Sequence, residues 1–217
     1  MIPVTHTRPA IDAHPQPARF YPIVPDATWV ARIAPLGITT VQLRLKDADV
    51  AEVRRQISNS LDVCRAHGVE LIVNDHWQAA IDLGANWLHL GQEDLATADL
   101  AAIRRAGIKL GLSTHDEAEL EIALAAAPDY VALGPVYPTT LKAMKWAPQG
   151  LDRIGQWKRR IGALPLVAIG GLTVERAAGV FAAGADSLAV VTDFLAHPAP
   201  EARIAEWLAV TGQVPKS

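Results

Sequence analysis

Gln42, Arg44 and Lys46 occupy alternate positions of the run QLRLK, so an extended backbone aims the amide and both cations to one side and Leu43 and Leu45 to the other. Such a row of cations suits an anionic ligand. The stretch 134–150, GPVYPTTLKAMKWAPQG, has a similar character: Pro135 and Pro138 fix backbone angles, Thr139 and Thr140 offer hydroxyls, and Lys142 and Lys145 bring charge among few acids. It is too irregular for core and reads as a long polar loop, either an anion-binding element or a solvated crossover with decorative lysines. Carboxylates stand elsewhere, Asp75 after Asn74 and Asp94 after Gln92-Glu93. With waters and phosphate oxygens they suit Mg²⁺, which seldom has an all-protein cage; both positions equally suit helix N-capping. Gly170-Gly171 lets backbone N–H groups approach an anion ahead of a helix starting near Val174, although alone the pair is only a tight turn.

The elements that must position these groups are eight short apolar runs, at 20–24, 40–43, 70–73, 87–90, 109–112, 130–133, 166–169 and 187–191. Helical spacing of apolar residues fills stretches between them, at 50–67, 98–106, 117–126, 151–161, 174–183 and 202–210. Gly37, Gly68, Gly84, Gly107 and Gly184 each precede a strand, as left-handed helix C-caps do. The segments LGANWLHLG, AAPDYVALG and AAGADSLAVV repeat the same helix-to-strand junction. Strictly alternating strands and helices imply a parallel sheet. An open doubly wound sheet lacks its usual glycine-rich turn here, so a single-domain (β/α)8 TIM barrel is predicted over residues 19–217.

A chain of 217 residues, half of them hydrophobic, is long enough for that one domain. A net charge of -3 and a pI near 6.1 give no electrostatic footprint for nucleic acid or an anionic membrane. The lone Cys64, within LDVCRAHG, reads as a packing residue. No apolar run approaches the length of a membrane span, and residues 1–18, rich in Pro and His, lack a signal-peptide pattern and are expected to be a disordered tail. A cytoplasmic location is expected.

In (β/α)8 barrels, reactive groups gather at the C-terminal strand ends and in the loops beyond. Gln42, Arg44 and Lys46 follow the second strand, Asn74 and Asp75 the third, Asp94 the fourth, Ser113 and Thr114 the fifth, and Thr139, Thr140 and Lys142 the sixth. Loops after the last two strands often bind phosphate, which makes Gly170, Gly171, Val191 and Thr192 the predicted monophosphate cradle. The competing reading pairs Arg44 and Lys46 with the nearby acids as a structural network. Of the tryptophans, only Trp146 is placed to cover a substrate ring. His89 reads as core or barrel-lining and His115 as a chemical group or a helix cap; neither enters the expected site.

Taken in order, Gln42-Leu43-Arg44-Leu45-Lys46, Asn74-Asp75, His89-Leu90-Gly91-Gln92-Glu93-Asp94, Gly111-Leu112-Ser113-Thr114-His115, Gly134-Pro135 with Pro138-Thr139, Ile169-Gly170-Gly171 and Gly184-Ala185-Asp186 resemble the thiamine-phosphate synthase family. The resemblance runs from Phe20 to the C-terminus. It implies a transferase of thiamine biosynthesis that joins hydroxymethylpyrimidine diphosphate to a thiazole phosphate and releases pyrophosphate with Mg²⁺, through a ring-stabilised carbocation captured by the thiazole nitrogen. Under it, Gln42, Arg44, Lys46, Asn74 and Lys142 hold the diphosphate and pyrimidine, Ser113 sits near the pyrimidine, and Asp75 and Asp94 bind Mg²⁺. Arg44, Lys46, Ser113 and Lys142 are the implied catalytic residues, while Thr139, Gly170, Gly171, Val191 and Thr192 hold the thiazole phosphate. The expected partners are these two small molecules, with no nucleic acid and no membrane; a homo-oligomer stays open. The chain departs from the family pattern at Leu141, where a hydroxyl is usual, at Leu45, where an acid is usual, and at Thr192, which stands for a serine. Two alternatives remain: the related thiazole tautomerase, which generally lacks the Asn-Asp and Gln-Glu-Asp pieces, and a non-catalytic phosphate-ligand-binding barrel.

Overall fold

The structure is a computed structural model that describes residues 16–139 and 146–213. Eight parallel strands close in chain order into one barrel, β8 pairing back onto β1. They are β1 (Phe20–Val24), β2 (Thr40–Leu43), β3 (Glu70–Asn74), β4 (Trp87–Leu90), β5 (Lys109–Thr114), β6 (Tyr130–Leu133), β7 (Leu166–Ile169) and β8 (Ser187–Val190). The expected strands are all present; β3 and β5 run one and two residues further, which carries Asn74 and Ser113 into the sheet.

The helices are α1 (Ala27–Ile33), α2 (Val50–His67), α3 (Trp77–Asp82), α4 (Gln92–Leu95), α5 (Leu100–Arg105), α6 (Glu117–Ala125), α7 (Gly150–Ile161), α8 (Val174–Ala182), α9 (Thr192–Leu195) and α10 (Pro200–Val210). In α2 the cause of each feature is local. Asp49 caps its start by accepting from Glu52 N, Val53, Ile57, Leu61 and Cys64 form its buried face, and Gly68 ends it at φ +65°. Each such large apolar side chain stabilises the fold by about 1.5–3 kcal/mol when fully buried. Burial pushes the Cys64 thiol up to about 12, in keeping with a packing role. All five glycines expected as caps have positive φ.

Most of the core lies between strands and helices, where Phe20 stacks on Trp207 with centroids 5.1 Å apart. A second, smaller cluster fills the lumen: Tyr21, Ile23, Ile72, Trp87, Tyr130, Ala132, Val167 and Ala189, drawn from alternate positions of the strands. Gly111 makes room for it, because a Cβ there would lie 1.9 Å from Cζ of Tyr130. Below the lumen, Ala18 donates its N–H to Thr40 Oγ1 and accepts from Ser187 Oγ, so the chain is already tied to the barrel at that point; residues 1–15 of the expected tail lie outside the described residues. No described helix is long and apolar enough to cross a membrane.

Candidate active site

Above the lumen plug, the C-terminal strand ends surround one cavity of about 620 Å³. Every residue given a substrate or metal role lines it except Lys142, which with Thr140 and Leu141 lies outside the described residues.

At the β2 end the alternation works as expected: Leu43 and Leu45 turn into the core while Gln42, Arg44 and Lys46 line the cavity. At the β3 end Asp75 adopts φ +67°, a left-handed backbone uncommon outside glycine. It is held by a donation from its N–H to His89 O (2.9 Å) and by acceptance at its carbonyl from Trp77 N (2.8 Å). Strain of this kind, about 1 kcal/mol, clusters at functional sites. The capping alternative fails for both acids. His76 and Gly91 hold the N-cap positions of α3 and α4, and Asp94 lies inside the first turn of α4. The two carboxyls instead face one another. Burial first, and the Asp94 charge second, raise Asp75 to about 6 against the pull of Arg44 and Asn74. A pair that suffers this repulsion has a use for a cation. Among the described residues no three metal-ligating side chains cluster, so any ion held here takes its remaining oxygens from water or substrate.

The cavity floor carries groups that the sequence did not assign. Nδ1 of His89 lies 2.9 Å from the Tyr130 hydroxyl and Nε2 lies 2.8 Å from Ser113 Oγ, with the His89 and Tyr130 rings stacked at 5.6 Å. Burial, helped by the Arg44 charge, lowers His89 from 6.5 to about 4, so the ring is neutral near pH 7 and has one N–H and one acceptor nitrogen for its two hydroxyl partners. His89 thereby fixes where the Ser113 hydroxyl points. Gln92 Nε2 donates to the Ser113 carbonyl (2.7 Å) and pins the same strand end. Thr114, read with Ser113 as a site hydroxyl, faces the other way: it donates to Ala132 O and accepts from Trp157 Nε1 in the outer core, as strand alternation requires. The signal for His89 was its place in WLHL, two residues from the lumen-facing Trp87; its partner Tyr130 is 41 residues distant.

The His89 shift sets a pH dependence. The unfolded chain takes up this proton at about 6.5 and the folded chain only near 4, so stability is whole above pH 6.5 and falls as pH drops towards 4, by roughly 3 kcal/mol in all. Denaturant titrations of the wild type and His89→Gln at pH 7 and pH 4.5 check this. The stability difference between them narrows by roughly 2 kcal/mol at the lower pH, and an unchanged difference would refute the buried neutral ring.

His115 is not a cap either, since Asp116 caps α6 by accepting from Glu119 N. Glu119 instead accepts from both the backbone N–H and Nδ1 of His115, and the imidazole stacks on Trp146 with centroids 4.0 Å apart at 12°. The ring expected to cover a substrate is thus supported from behind at the cavity wall.

The stretch 134–150 is less loop-like than expected at its near end. Val136 is fully buried, its N–H donates to Ile169 O, and Tyr137 N donates to Gly170 O. Against this lie Gly170 (φ +95°) and Gly171 (φ +64°), where a Cβ would meet Pro135 at 2.7 Å and the Pro138 carbonyl at 2.5 Å. Only glycine allows this double approach, which leads into α8. Val191 at the N-cap of α9 and Thr192 in its first turn complete the cradle from the β8 side. The sequence did not assign Arg176, in the first turn of α8, which also lines the cavity.

Comparison with known proteins settles the family. Residues 20–194 match the family model described as thiamine monophosphate synthase. The chain belongs to that family. A thiamine-phosphate synthase from Rhizobium etli is 62% identical over 88% of this chain and 94% of its own. One from Neisseria meningitidis serogroup A is 47% identical over 86% and 91%. Among solved structures, thiamine phosphate pyrophosphorylase from Pyrococcus furiosus shares the barrel with a TM-score of 0.79 at 24% identity, covering 89% of this chain and 95% of that one. A 3-hexulose-6-phosphate synthase shares it at 0.63 and 14% identity, over 88% and 98%. For this thiamine monophosphate synthase family member, the match spans all eight strands and the whole described cavity.

Proposed function

We propose that this chain is a thiamine-phosphate synthase: a transferase that joins hydroxymethylpyrimidine diphosphate to a thiazole phosphate at this cavity, with Mg²⁺. The observation that carries the reading is that one cavity has two ends whose groups suit anions. Arg44, Lys46, Asp75 and Asp94 stand at β2 to β4, and the Gly170-Gly171 cradle stands at β7 and β8, half the barrel's circumference away.

The reaction breaks the C–O bond to the diphosphate and forms a C–N bond to the thiazole. It requires leaving-group charge to be stabilised and two rings to be held in register, which fixed charges and a water-poor floor provide without a protein nucleophile. Arg44 and Lys46 neutralise the departing pyrophosphate. Ser113, oriented by His89, contacts the pyrimidine, and Gln42 and Asn74 offer amides beside it. Gly170, Gly171, Thr139, Val191 and Thr192 hold the thiazole phosphate, with Lys142 assigned to the diphosphate from the sequence pattern. Asp75 and Asp94 hold Mg²⁺, whose charge offsets that of the diphosphate oxygens when bound. Asn74, Asp75, Gln92 and Glu93 all border the cavity, which favours a synthase over the tautomerase, whose pattern lacks these pieces.

The test is a defined assay with both phosphorylated rings. Thiamine phosphate and pyrophosphate form in equal amounts, chelation of divalent cations stops the reaction, and Mg²⁺ restores it. No product at saturating substrates would rule the reading out; tight binding of thiazole phosphate without turnover would favour the binder, and thiazole isomerisation alone the tautomerase.

A further inference from the structure

Arg176 has an unusual environment for a cation on a helix surface. Its guanidinium lies 4.3 Å above the Tyr137 ring, and Nη1 donates to the carbonyl of Gly171, the second glycine of the cradle. Both contacts fix a long side chain beside the cavity before any ligand arrives, so little rotamer entropy remains to be lost on binding. Yet among the described residues no carboxylate pairs with it.

The acids that could neutralise it are held elsewhere. Asp193, which also borders the cavity, accepts from Arg203 Nε and Trp207 Nε1, both at 2.8 Å. Glu175, beside Arg176 in sequence, is bound by Arg203 Nη2 at 3.1 Å. Arg203 therefore holds Asp193, Glu175 and also Glu206 on the α10 side, and Arg176 stands without a direct ion pair among the described residues at the start of α8, where the helix dipole adds to its field.

We propose that Arg176 is a specificity-determining residue for the second substrate: its charge makes the cradle prefer a phosphorylated five-membered ring over the corresponding alcohol. This rests on the function proposed above. The planar fork can give its remaining N–H groups to phosphate oxygens while Nη1 stays on Gly171. The pyrimidine diphosphate, bound near β2 to β4, does not depend on it.

The experiment compares wild type, Arg176→Gln and Arg176→Lys by calorimetric titration of the thiazole phosphate and by steady-state kinetics. For Arg176→Gln, Kd and KM for the thiazole phosphate rise about 10-fold or more, the range expected for one lost charge-assisted hydrogen bond. The preference for phosphate over alcohol falls by the same factor, KM for the pyrimidine diphosphate stays within about twofold, and Arg176→Lys recovers part of the loss. Unchanged affinity for the thiazole phosphate, or an equal rise in both KM values, would overturn the assignment. A wild type that binds thiazole phosphate but makes no thiamine phosphate refutes the function instead, and the calorimetry alone then decides the role of Arg176.

Discussion

Asp94→Asn lowers kcat/KM by at least about 100-fold while leaving the melting temperature where it was. The activity side follows from charge: the substitution keeps the shape of the side chain but removes half of the carboxylate pair that would share a divalent cation with the diphosphate. The stability side follows from the surroundings. Asp94 caps no helix, and among the described residues its side chain forms no salt bridge. Its charge raises Asp75, so neutralising it relieves a repulsion. Mg²⁺ titrations of activity, run beside thermal melts, separate the two. Apparent Mg²⁺ affinity falls in the variant and the melt is unchanged or slightly higher. Normal turnover with a large loss of stability would return Asp94 to a structural role.

Gly111→Ala is expected to destabilise the barrel through a single added methyl group. The new Cβ would stand 1.9 Å from Cζ and 2.4 Å from the hydroxyl of Tyr130, a ring fully buried between Trp87 and His89. The ring cannot stay, and overpacking of this kind costs about 1–3 kcal/mol. For a domain of this size that is a fall of several degrees in melting temperature, at about 2–4 °C for each kcal/mol. Turnover should fall further than stability explains, because moving Tyr130 removes the partner that sets the His89 ring and through it the Ser113 hydroxyl. Gly179→Ala is the matched control. It lies inside α8 with its nearest neighbour at 3.8 Å, so alanine should stabilise by up to about 1 kcal/mol through helix propensity alone. If Gly111→Ala behaved like Gly179→Ala, the lumen packing described here would be wrong.

The barrel was legible because its strands are short apolar runs flanked by glycine caps, a pattern written in local sequence. The helices that were missed, α1, α3, α4 and α9, have four to seven residues and too few turns for any periodicity to show. The strand-end groups were legible for a related reason: in a closed parallel barrel, lying just past a strand is enough to place a side chain near the mouth. What the sequence could not show were relations between strands. Asp75 and Asp94 read equally as caps until Gly91 and His76 were found in those places. His89 needed Tyr130 on β6 and Ser113 on β5 to become more than a buried imidazole. Arg176 looked like one polar residue of an amphipathic helix, and only the capture of Asp193 and Glu175 by Arg203 distinguishes it.

The aromatic plug across the lumen also governs traffic. Tyr21, Trp87 and Tyr130 are at most 4% exposed, and they close the barrel below Ser113, so the cavity is a blind well with one opening. Both reactants and both products must use that opening. A ligand resting on the floor beside Ser113 therefore comes and goes past the strand-end groups of β2 to β4 and of β7 and β8 that ring the mouth.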